Sequence, residues 1–247
     1  FVLEFKYLGS LVHHSLTSDA DVNKRIRAAS AAFGALRSVL CNFALSENLR
    51  GQVYTALVLT ILLYGSEVWC LHEDLFATLR TFHNSCCRAM CRITMAHTIR
   101  HHIPSKQLYK RLGIAAVDQY YHRRLLRWAG HVSRMPMNRA PRQLLTGWVA
   151  NPRPIGSPLM TWGRTVKKAL VRCGQSPDFA VWSKVAADRG EWRKLWGQKT
   201  PLPRQKPTAY AEQVLDIFYG PGPPPPDAPP PIAPIAIPAT PSLPASP

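Results

Sequence analysis

Between His122 and Met135 the chain reads "HRRLLRWAGHVSRM", which sets Arg123, Arg124, Arg127 and Arg134 among Leu125, Leu126, Trp128 and Val132. Arginines in such a series suit phosphate oxygens, because each guanidinium is a planar fork of N–H donors that stays charged at physiological pH. At about 100° per residue, Arg123, Arg124, Arg127, Arg134, Tyr120 and His131 share one side of a helix. Tyr121, Leu125, Trp128 and Val132 fall opposite, as an apolar stripe for a core.

A solvated basic face is the ordinary explanation of one such helix alone. Its neighbours favour a polyanion ligand instead. "SKQLYKR" (Ser105–Arg111), "NRAPR" (Asn138–Arg142), "NPRP" (Asn151–Pro154) and "GRTVKKAL" (Gly163–Leu170) add cations, and residues 100–172 hold 15 Lys or Arg against the single acid Asp118. Most of the chain's net charge of +17 therefore sits in this stretch. That is the footprint of phosphate-backbone binding without base specificity. The candidate contacts are Arg123, Arg124, Arg127, His131, Arg134, Arg142, Lys167 and Lys168.

A second cluster, His83, Cys86, Cys87, Cys91, His97, His101 and His102, raises zinc. On a helix His83, Cys87 and Cys91 share a face, yet the spacing matches no common knuckle or ribbon, and cysteine is a frequent small core residue. Packing is the favoured reading, and no metal site is expected. The glycines Gly9, Gly65, Gly113, Gly130 and Gly156 stand in no phosphate-loop or dinucleotide pattern. Trp69, Trp148, Trp162, Trp182, Trp192 and Trp196 could stack on bases, though Trp at helical spacing more often fills a core.

The elements that must position these residues are mostly helical. Phe5, Tyr7, Leu11 and Val12 alternate around Gly9-Ser10 as a short hairpin. Ser18 with Asp21 forms a capping-box pattern ahead of Val22, Ile26, Ala29, Phe33 and Leu36 at helical spacing. A helix follows Ser46 to about Tyr64, where Gly65 breaks it, and another spans about Glu73 to Ile93. Pro104 opens a short helix that Gly113 closes, and the arginine helix runs from about Val117 to Arg134. Loop signals follow Pro136, and helical ones return at Leu159–Cys173, Phe179–Ala187 and "RGEWRKLW".

The apolar run Val53–Tyr64 is too short for a membrane span, so no membrane partner is expected. Six irregularly spaced cysteines and no secretory signal at the start suit a reducing interior, nucleus or cytoplasm. Residues 220–247 hold 13 prolines in 28 positions and no aromatic past Gly220. Such a tail reads as disordered or polyproline II, with a Pro-rich-motif binder as a candidate partner.

Eight motifs in order resemble the C-terminal portion of reverse transcriptases from non-LTR, LINE-type retrotransposons. They are "FKYLGS" (Phe5–Ser10), "RI.AA..AF..L" (Arg25–Leu36), "LLYGSEVW" (Leu62–Trp69), "L..FHNSCCR" (Leu79–Arg88), "LLRWAGHVSRM" (Leu125–Met135), "R.P..LL" (Arg139–Leu145), "G.P...W...V" (Gly156–Val166) and "DRGEWRKL" (Asp188–Leu195). The resemblance implies that residues 1–16 are the end of a palm-like β hairpin, with Lys6 and Tyr7 near a primer end. It implies a thumb-like helical bundle over 17–97 and a basic helical post-thumb region over 98–200, before a linker and Pro-rich tail over 201–247.

Two-metal polymerase catalysis needs closely placed carboxylates. In the family these come from a Phe/Tyr-x-Asp-Asp box and an upstream Asp, both N-terminal to "FKYLGS"; no Asp-Asp pair occurs in this chain. The expectation is a mostly α, non-catalytic fragment of an RNA-directed DNA polymerase that binds template RNA, an RNA–DNA hybrid or target DNA. Mg²⁺ is expected only in the missing N-terminal palm, and no cofactor in this chain. The alternatives are an orphan helical interaction protein that uses its Pro-rich tail, or a non-functional relic of the element.

Overall fold

Tyr7 to Ser10 make the tight turn of the N-terminal hairpin in the computed structural model, which describes residues 3–15, 17–146 and 161–196. Strand β1 (Glu4–Tyr7) pairs antiparallel with β2 (Ser10–His13), with Phe5 opposite Val12 and Tyr7 opposite Ser10. The two turn residues, Leu8 (φ 45°) and Gly9 (φ 87°), both take positive φ, as a two-residue hairpin of this hand requires. Leucine is a poor choice there, at a cost of about 1 kcal/mol. The rest of the chain holds the turn: Tyr64 Oη donates to the Leu8 carbonyl at 2.9 Å, and Lys24 Nζ and Arg25 Nη2 donate to the Gly9 carbonyl at 2.8 and 2.7 Å.

Helix α1 (Asp19–Ala35) starts at Ser18, but not through the expected capping box. The Ser18 hydroxyl accepts from the Cys70 amide, and the Asp21 carboxylate accepts from the Leu11 amide at 2.9 Å and from Trp69 Nε1 at 2.8 Å. Asp21 is buried, so it serves donors that have no water to turn to. One side chain thereby ties the hairpin, α1 and the loop that carries Trp69 together.

After α2 (Arg37–Leu40), α3 (Glu47–Val53) is capped by Ser46, whose hydroxyl accepts from Leu49 N. The chain passes through one π-helical turn (Tyr54–Val58) into α4 (Leu59–Leu62), and a 3₁₀ turn (Ser66–Val68) follows. Helix α5 (Glu73–Met90) leads to α6 (Met95–Arg100), a short helix with no buried apolar stripe of its own; Thr94 caps it by accepting from His97 N. Helix α7 (Ser105–Leu112) ends at Gly113, whose φ of 65° is the left-handed terminator expected of glycine. Then come α8 (Val117–Ser133), α9 (Ala140–Thr146), α10 (Trp162–Arg172), α11 (Phe179–Ala187) and α12 (Arg189–Trp196). The mostly helical fold with a short N-terminal hairpin is thus observed. Trp148, Arg153, the start of the Gly156 motif and the Pro-rich tail lie outside the described residues.

Helix α8 is the hub. It packs against α5, the 3₁₀ turn, α9, α10, α11 and α12, and the buried side chains from Val22 to Trp192 form one cluster across residues 97 and 98. Tyr121 Oη donates to the Trp69 carbonyl at 2.8 Å, and Trp192 Nε1 donates to the Leu126 carbonyl at 2.9 Å while its ring stacks on Trp182. Each such aromatic buries a large apolar area and still finds its polar partner.

No helix among the described residues is long and apolar enough to cross a membrane. The run Val53–Tyr64 instead places Tyr54, Val58, Leu59, Leu62 and Leu63 in the core.

Candidate nucleic-acid interface

Seven positions of α8 are buried, Val117, Tyr121, Leu125, Leu126, Ala129, Gly130 and Val132, so the helix hides far more of its surface than one stripe. What remains open is a narrow edge carrying Arg123, Arg127 and His131, with Arg127 and His131 exposed and Arg123 half-buried. Arg123 and Arg127 lie one turn apart, about 6 Å along the axis. Neither has a salt-bridge partner among the described residues. His131 rests its ring on the half-buried Trp128, 5.3 Å between centroids.

The other expected contacts divide by surroundings. Arg124 turns to Glu67 of the 3₁₀ turn, Nη1 to Oε1 at 3.3 Å, and the backbone carbonyl of Glu67 accepts from Trp162 Nε1 at 2.9 Å. Arg134 Nη1 donates to the Ala186 carbonyl at the end of α11, and burial, with Arg189 nearby, lowers its pKa. Arg142 lies over the Phe179 ring, 4.8 Å from its centre, with Nε and Nη1 buried and without a partner among the described residues. These three arginines dock the basic segment onto the body.

Lys167 and Lys168 are exposed on α10, and Lys168 has an interaction of its own. Lys6 and Tyr7 are exposed on β1, with Tyr7 stacked on Phe5 at 6.4 Å between centroids. The structure brings Arg123 and Arg127 together on one edge of α8.

Two neighbours of Arg123 come from distant helices: Arg172, which no motif singles out, and Trp196, one of the tryptophans able to stack on bases. Arg172 of α10 donates to His122 Nε2 at 3.2 Å, beside Arg123. Trp196, at the end of α12, lines the hollows on both sides of Arg123. Their sequence separation from α8 carries no local signal, and only the docking of α10 and α12 unites them.

Acids from the first half of the chain meet part of the basic segment: Glu47 takes Arg111, and Glu67 takes Arg124. The sole acid of residues 100–172, Asp118, is held by Arg80 of α5. Arg123, half-buried, and Arg127, exposed, are therefore left without an acid partner among the described residues.

Of the histidine and cysteine cluster, His83, Cys86, Cys87 and Cys91 are buried, while His97, His101 and His102 are exposed. His83 is buried, its Nε2 donating to the Ala115 carbonyl at 3.1 Å, which leaves Nδ1 to accept from Tyr54 Oη at 2.9 Å. Burial lowers its pKa to about 4, and burial raises the thiol pKa of Cys86 and Cys87. Among the described residues, no group of three or more His, Cys, Asp or Glu could hold a metal ion.

No family model matches the chain, and no solved structure matches it. The chain is similar to a Caenorhabditis elegans protein whose name reads "Putative uncharacterized transposon-derived protein", with 27% identity over 196 residues that cover 76% of this chain and 68% of that one.

Proposed function

We propose that this chain is of transposon origin and supplies the nucleic-acid grip, without the catalytic centre, of a LINE-type reverse transcriptase. The observation that carries the reading is the pair Arg123 and Arg127, one turn apart on the open edge of α8 and free of any salt bridge among the described residues. The likeness to a transposon-derived protein and the ordered motifs support the origin.

In this reading the partner is template RNA, an RNA–DNA hybrid or target DNA, held by its phosphates. The helices over 17–97 act as the thumb and those from 98 onward as the post-thumb region. The hairpin with Lys6 and Tyr7 lies toward the primer end. Catalytic carboxylates and their Mg²⁺ belong to a palm outside these residues, and the work is done inside the cell, in nucleus or cytoplasm.

Binding of the full chain to a labelled RNA–DNA hybrid, followed by fluorescence anisotropy between about 50 and 200 mM salt, tests this. Affinity is expected to fall steeply with salt and to be the same for unrelated sequences. No binding at the lowest salt contradicts it.

A further inference from the structure

Between α8, α10 and the end of α12 lies a cleft of about 480 Å³, inside the range of roughly 300–1,000 Å³ that ligand sites occupy. Arg123 and Arg172 line it with the aromatic rings of Tyr120 and Trp196, and Leu126 and Ala169 give it an apolar floor. Its carboxylate, Asp118, is engaged by Arg80, and His122 accepts from Arg172 through Nε2 and is therefore neutral. The cleft thus combines two guanidinium groups with flat aromatic and apolar walls. Trp196 Nε1 adds a buried donor with no acceptor among the described residues.

On the far side of Arg123 a groove of about 240 Å³ continues past Thr55, Thr60 and Arg127, and Tyr120 and Trp196 border it as well. A chain whose charge lies along one groove and whose flat group enters a side cleft matches this outline. A paired, stacked duplex has no base free to enter; a single strand does.

The geometry points to a pocket for one unstacked nucleotide of a single strand, its base against Trp196 and Tyr120, its phosphates on Arg123 and Arg172, and the strand running on past Arg127. This rests on the nucleic-acid reading above and narrows it from single strand or duplex to a single strand. Aromatic stacking accepts every base face, so the pocket needs no base preference.

The test uses the full chain with a labelled 12-nucleotide single-stranded RNA and with the same strand annealed to its complement. The expected result is tighter binding of the single strand. Trp196→Ala and Arg172→Ala are each expected to weaken the single strand roughly tenfold while leaving the duplex within about twofold. Trp196→Phe, which keeps a ring, should retain most of the affinity. Arg172→Ala sits on the surface of α10 and keeps the test open should Trp196→Ala fail to fold. Equal binding of strand and duplex, with both variants acting alike on the two, overturns the pocket and leaves phosphate binding standing. Loss of binding to both in the unmodified chain overturns the underlying reading too.

Discussion

Arg80 grips Asp118 with a two-point fork, Nε at 3.0 Å and Nη2 at 2.7 Å from Oδ1. The arginine belongs to α5 and the carboxylate to the first turn of α8, so the one acid of the basic segment is used to dock that segment. Asp118→Asn is expected to lower stability by about 1 kcal/mol, a value discounted because both side chains are partly exposed and Glu73 still meets Arg80. Urea denaturation of the two proteins checks it.

His83 makes stability depend on pH. Its folded pKa, about 4, lies below the ordinary value of 6.5, so between those two values the unfolded chain holds a proton that the folded chain refuses. The stability present above pH 6.5 is therefore lost as pH falls toward 4, at up to about 1.4 kcal/mol per unit. His122, with a pKa also near 4, loses stability in the same direction. Denaturation midpoints of the wild type and of His83→Gln at several pH values check this, with a shallower slope expected for the variant.

Gly130 leaves room for Trp192. A Cβ built at position 130 meets Trp192 Nε1 at 2.1 Å, and that indole is fixed by its bond to the Leu126 carbonyl. Gly130→Ala is expected to displace α12 and cost about 3 kcal/mol or more. Lost protection of α12 amides in hydrogen exchange checks it.

Arg134 and Arg127 separate docking from binding, though they lie on the same side of a helical wheel. Arg134→Ala removes the contact to Ala186 and is expected to cost about 1–2 kcal/mol with the salt dependence of RNA binding unchanged. Arg127→Ala is expected to do the reverse, leaving stability within about 0.5 kcal/mol and weakening all sequences alike. Melting curves alongside binding isotherms for both variants decide it.

These pairs also show what the sequence could carry. Period and turn residues located most helices, because apolar spacing, Pro104 and Gly113 act locally; Phe179–Ala187 has the expected bounds. The π-helical turn at Tyr54–Val58 has no local sequence signal, and the partners of Ser18 and Asp21 were not legible because Trp69 and Cys70 arrive from about 50 positions away. The wheel of α8 separated arginines from a stripe but assumed one packed side. With α5 and the 3₁₀ turn packed against it as well as α10, α11 and α12, the helix also buries Leu126, Ala129 and Gly130 and engages Arg124 and Arg134. Of the arginine face, Arg123 and Arg127 remain the ones without an ion-pair or hydrogen-bond partner among the described residues.

The most direct test of the central claim is the salt dependence of RNA binding by the full chain and by an Arg123→Ala/Arg127→Ala double variant. Two lost phosphate contacts are expected to reduce the slope of log affinity against log salt by about 1.4 on a single strand. A double variant that binds with the unmodified slope would contradict the assignment of this edge of α8 as the phosphate grip.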